Sequence, residues 1–195
     1  RTGGGSTDAA EQRIGILLLH SQLNLYLAMG ARLSEQGAKV FYCTRAEEER
    51  RAVLARLGIA DPESPIVAVA DLIPDGVVEP VADRDALVAR AREIEARIGE
   101  TLHRVALAHR HLGAGFSPGS FSYPRDRRIS GADYWHYLGA ITEQVAFWLN
   151  EIAGKRLTAI VDGGKEAAVA CRASGIAFRW LIFARYKDHR AWAVD

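Results

Sequence analysis

The sequence predicts a doubly wound α/β fold with a mostly parallel sheet, on three observations. The first is the run Arg13 to His20, apolar from Ile14 to Leu19, which suits a strand buried on both faces. The second is alternation: strand-like and helix-like segments follow one another to about Ala70, the mark of right-handed βαβ units. The third is a return to the same pattern near the end, from Leu157 to Ala184.

The elements can be justified in order. After the strand ending at His20, Ser21 is a fit N-cap for a helix to about Gln36, where Gly37 stops it. Ala38 to Cys43 reads as the second strand. Thr44 with Glu47 has capping-box spacing, so a second helix is expected from about Arg45 to Leu57, closed by Gly58. Pro65 to Ala70 is the third strand. Asp83 then caps one long helical stretch to about Leu112, with an apolar stripe through Leu87, Ala91, Ile94, Ile98, Leu102 and Val105. A Gly/Ser/Pro-rich loop from Gly113 to Ser130 interrupts it. Ser130 with Asp133 is expected to cap the next helix, whose stripe is Leu138, Ile141, Val145, Trp148 and Ile152. Leu157 to Val161 is the fourth strand. Asp162-Gly163-Gly164-Lys165 turns into a helix ending before Gly175, and Ile176 to Ala184 is the last expected strand.

The expectation is therefore a Rossmann-like sheet of about five strands, with a long helical pair between strands 3 and 4. The order 3-2-1-4-5 puts a switch point between strands 1 and 4, where such sheets bind ligands at their carboxyl ends. Residues 1–12 are Gly-rich and polar and read as a flexible linker or a leftover of cloning. Residues 13–195 read as one domain.

Composition narrows the function classes. The 195 residues are 49% hydrophobic and 25% charged, with formal net charge +1, so no chain-wide charge argues for nucleic acid. Cys43 and Cys171 cannot form a disulfide scaffold and are expected to be buried, inert thiols in a reducing, cytoplasmic setting. No apolar run approaches the roughly 20 residues that span a bilayer.

Several motifs fail on inspection. No glycine lies between His20 and Leu27, so the dinucleotide fingerprint is missing, and no phosphate-loop motif is present. Gly115-Phe-Ser117-Pro-Gly119 matches a nucleophile elbow in letters, but a helix rather than a strand precedes it and Pro118 lacks the N–H an oxyanion hole needs. Asp83-Arg-Asp85 could suit a hard cation, yet capping explains it better. His103, His109 and His111 lack the i, i+4 spacing of a helical metal pair. No metal and no cofactor are expected.

Other residues can carry chemistry. His20 ends a strand at the switch point, where an imidazole can serve as general base. Ser21 lies beside it. Gly163, Gly164 and Lys165 open a helix, where exposed N–H groups and the dipole favour an anion. Arg125, Arg127 and Arg128, with nearby aromatics, suit sugar or phosphate recognition.

The block Ile14 to Tyr42 resembles the start of the N-terminal domain of GT-B glycosyltransferases: strand, leucine-rich helix, glycine, second strand. Glu166 to Leu181 is similar to the helix-Gly-Ile-Pro-strand segment late in such domains, although Ala177 stands where that family usually has proline. Arg185 to Val194 resembles a segment of capsular polysaccharide biosynthesis proteins. The resemblance implies the acceptor-side domain of a two-domain enzyme, with the nucleotide-sugar held by a second, C-terminal domain. It implies His20 as the base, a saccharide or lipid-linked acceptor held with help from Ser21, Asp162, Lys165 and the three arginines, and peripheral membrane association as a further expectation. A nucleotide-sugar epimerase or polyol-phosphate transferase of similar architecture, or a non-enzymatic α/β interaction module, are the alternatives.

Overall fold

The structure, a computed structural model, describes residues 11–18, 22–45, 47–58, 66–68, 76–77, 81–107, 129–130, 133–183 and 190–194. Among them run β1 (Arg13–Leu17), α1 (Leu23–Glu35), β2 (Lys39–Thr44), α2 (Glu47–Leu57), β3 (Ile66–Ala68) and β4 (Gly76–Val77). Then come α3 (Arg84–Ile98), α4 (Leu102–Leu107), β5 (Ile129–Ser130) and α5 (Tyr134–Lys155). The last elements are β6 (Ala159–Val161), α6 (Gly164–Ala173), β7 (Ala177–Phe183) and β8 (Arg190–Val194).

The main sheet has the order β3-β2-β1-β6-β7-β8. Its first five strands are parallel and follow the expected 3-2-1-4-5 order. β1 lies centrally, with Leu17 opposite Cys43 on one side and Ile16 opposite Val161 on the other. The continuous apolar run is explained by its two-sided burial. Ile14, Ile16 and Leu18 pack with Leu23, Tyr26, Val53 and Leu54 of α1 and α2. Leu17 points the other way, into the larger cluster built by α3 to α6. Such alternation along a strand sends successive side chains to opposite faces.

Three expectations are corrected. A sixth strand, β8, joins the sheet antiparallel to β7, pairing Leu181 with Trp192. The stretch expected as one helix from Asp83 to Leu112 breaks at Gly99, whose φ of 73° ends α3 in a left-handed cap. The Glu95 carboxylate then accepts from the Leu102 N–H at 2.8 Å and helps start α4; residues beyond 107 lie outside the described ones. Thr44 ends β2, and the Glu49 carboxylate accepts from the Arg45 N–H at 3.2 Å. Ser130 belongs to β5, which pairs with β4 in a separate two-stranded sheet. α5 is capped by Asp133, whose carboxylate accepts from the Trp135 and His136 N–H groups while the His136 ring faces the Asp133 N–H. Asp83 does cap α3, accepting from the Ala86 N–H at 2.8 Å.

α5 is the centre of the second layer. Its stripe Leu138, Ile141, Val145, Trp148 and Ile152 is buried, as its spacing predicts. At about 25 cal/mol per Å², each such side chain stabilises the fold by roughly 1.5–3 kcal/mol. Among the described residues, no helix is long and apolar enough to cross a membrane.

Candidate functional site

The switch point falls between β1 and β6, the neighbours from which the chain winds in opposite directions. Their carboxyl ends, with that of β2, form the candidate site. His20 and Ser21, which follow β1 in sequence, are outside the described residues, as are Arg125, Arg127 and Arg128. At the start of α1 the N-cap position is Gln22, whose side chain makes no capping bond.

Asp162 ends β6. It is buried, and its backbone is left-handed, with φ of 60°. Aspartate tolerates that region better than most residues. Its carboxylate accepts a hydrogen bond from the Tyr26 hydroxyl of α1. Burial raises its carboxyl above the ordinary range; the Tyr26 hydroxyl, the Arg45 charge and the Leu181 N–H all act to lower it and offset that only in part. Asp162 is thus a carboxyl held on the α1 side of the sheet.

Gly163 follows with φ of 122° and stands at the N-cap of α6 without a side-chain cap. A Cβ there would lie 2.6 Å from the Ala167 Cβ and 2.9 Å from Cζ2 of Trp148. The turn therefore rests directly on the Trp148 indole. That indole is buried, and its Nε1 has no hydrogen-bond partner among the described residues. Leaving a buried donor unpaired costs about 1–3 kcal/mol. Gly164 continues the turn with φ of 77°.

Lys165 takes a third direction. Its Nζ lies 4.5 Å from the centroid of the Trp180 ring on β7, a cation–π contact on the α6 face of the sheet. The four residues of this turn are contiguous, but the fold separates their side chains. Asp162 faces α1, Gly163 packs on α5, and Lys165 lies against β7.

Sequence reasoning missed three partners here. Tyr26 shares the buried stripe of α1 with Leu23 and Gly30, and a buried tyrosine hydroxyl needs a polar partner. That rule points to a polar group facing α1 without saying which. Trp148 and Trp180 come from distant segments, and nothing local connects them to the turn. The two cysteines are buried free thiols, and burial pushes the Cys43 thiol up to about 12 despite the lowering effect of Lys155. No cluster of histidine, cysteine and carboxylate side chains among the described residues could hold a metal ion.

Chemically, the edge combines a helix N-terminus that has glycine at its N-cap and the buried Glu166 in its first turn with a second buried carboxyl, Asp162, raised by its burial. The first feature suits an anionic group; the second can accept from a hydroxyl, or donate to one when protonated. No protein-family model, curated protein or solved structure matches the chain.

Proposed function

We propose that this chain is the acceptor-side domain of a GT-B glycosyltransferase of surface polysaccharide assembly, holding an anionic saccharide or lipid-linked acceptor along the carboxyl edge between β1 and β6. The observation that supports this most is the turn at Asp162-Gly163-Gly164. There α6 opens at the switch point with a glycine at its N-cap, above the buried Trp148 N–H that has no partner among the described residues. In an open α/β sheet that is where ligands bind, and a helix N-terminus favours negative charge. His20, two residues beyond Leu18 at the end of the β1 run, is the base that deprotonates the acceptor hydroxyl. Arg125, Arg127 and Arg128 steady the acceptor's charge. The nucleotide-sugar comes from a second domain.

A non-enzymatic interaction module draws less support. It would need an exposed apolar face on α3 and α5, and among their described residues Tyr134 alone is a large exposed hydrophobic.

Thermal unfolding of the chain with a panel of ligands tests the proposal, since binding to the folded state raises the midpoint. Phosphorylated or acidic saccharides raise the midpoint, and free nucleotides do not. Strong stabilisation by a nucleotide alone overturns the reading in favour of a self-contained nucleotide-binding enzyme. In the full-length enzyme, His20→Ala abolishes turnover; unchanged turnover removes the base assignment.

A further inference from the structure

We propose that the flank between α4 and α6 carries a separate binding groove for a small organic anion with an apolar body. A cavity of about 650 Å³ opens there, within the usual range of small-molecule sites, about 300–1,000 Å³.

The sequence of α6 explains why the groove exists. Lys165, Ala168, Val169 and Arg172 follow the i, i+3, i+4, i+7 pattern and so form one stripe of the helix. All four line the cavity. The two central residues are small, so they leave room; the two end residues are long and cationic. The cations are seven residues apart, about 10 Å along the axis. Buried Val105 of α4 and Phe178 of β7 complete an apolar floor.

The residues that line the groove include more cations than carboxylates. Glu100, in the break between α3 and α4, accepts from the Arg172 guanidinium at 3.2 Å and lies 3.7 Å from Nε of Arg104. Within the lining, one carboxylate, largely tucked in, thus contacts two largely exposed guanidinium groups. Lys165 adds a third cation to the lining and has no ion pair among the described residues. Such a lining repels cations and gives neutral apolar molecules no polar advantage. It selects a phosphate, sulfonate or carboxylate joined to an aliphatic or aromatic body. Guanidinium forks favour such oxyanions geometrically.

This groove is independent of the acceptor reading, with Lys165 the one residue common to both. Its test uses anilinonaphthalene sulfonate, an aromatic anion, followed by fluorescence, with uncharged phenylnaphthylamine as comparison. The expected result is one saturable sulfonate site and much weaker binding of the neutral compound. Arg104→Gln and Arg172→Gln each weaken it about tenfold, the value of one charge-assisted hydrogen bond. Arg32→Gln, on exposed α1 surface, leaves it unchanged. Octyl phosphate displaces the dye, whereas inorganic phosphate at equal concentration does not. Equal affinity in the groove variants, equal binding of the neutral compound, or equal displacement by inorganic phosphate overturns the proposal. Because Arg104 and Arg172 lie outside the β1–β6 edge, failure here leaves the saccharide experiment intact, and the reverse holds too.

Discussion

Gly163→Ala isolates the contact between the candidate site and the core. Two effects oppose the alanine. A residue with a Cβ at positive φ costs roughly 1–2 kcal/mol. The new methyl would also meet Ala167 at 2.6 Å and Trp148 at 2.9 Å, about an ångström inside normal contact, and neither neighbour sits at a flexible side-chain end. Such overpacking costs about 1–3 kcal/mol. Reduced freedom of the unfolded chain returns about 0.4–1 kcal/mol. The net loss is then about 1–4.5 kcal/mol, a sizeable part of the roughly 5–15 kcal/mol of a typical domain. Gly175 provides the internal control. It also has positive φ, 67°, but an added Cβ would meet nothing within 4 Å. Gly175→Ala should therefore lose about 1.5 kcal/mol or less. Urea unfolding followed by tryptophan fluorescence reads both, with the denaturant slope unchanged. Equal losses at the two positions would show that the turn does not rest on Trp148, and would refute the packing argument.

Further outcomes follow from the same geometry. The Asp162 carboxyl is raised in the folded chain, so its stabilising contribution is present below the unfolded aspartate value near about 3.9 and lost as pH rises through the folded value. Asp162→Asn, which keeps the left-handed backbone, should therefore raise the thermal midpoint at neutral pH, and the gain should shrink towards pH ~3; a gain independent of pH contradicts the burial argument. Native Cys43, with its thiol near 12, should resist alkylation at mildly alkaline pH while urea-unfolded chain is alkylated at both cysteines; rapid native labelling would place the strand end at the surface. Asp133→Ala should lose about 1 kcal/mol by urea unfolding as the capping box of α5 disappears; no loss would mean that water replaces the cap.

The parallel half of the fold was legible because burial on both faces leaves an unambiguous mark. Ile14 to Leu18 has no polar alternation, and only a central parallel strand explains that. The strand order also emerged, since right-handed crossovers leave few arrangements. The break between α3 and α4 was hidden by phase. Ile94, Ile98, Leu102 and Val105 keep steps of four, four and three across Gly99, so the apolar stripe continues while the backbone does not. Gly99-Glu100-Thr101 was the readable signal: a left-handed stop followed by a threonine whose hydroxyl accepts from the Arg104 N–H. β8 was missed because Arg190 to Val194 is short and pairs antiparallel at an edge, where Trp192 stays exposed. At the site, the turn itself was readable from its glycines. Its partners were not, because Tyr26, Trp148 and Trp180 arrive from α1, α5 and β7 through tertiary packing alone. The groove was equally invisible, since its charge balance depends on Glu100 of one segment meeting Arg172 of another.

The central claim is that the turn opening α6 at the switch point is an anion-binding edge. Amide chemical shifts of the isotope-labelled chain, titrated with a sugar phosphate, test it most directly. The account predicts saturable shifts at Gly163, Gly164 and Lys165 and at the Trp148 indole N–H, suppressed in Gly163→Ala. Shifts confined to other surfaces, with these four signals unmoved at saturation, would contradict it.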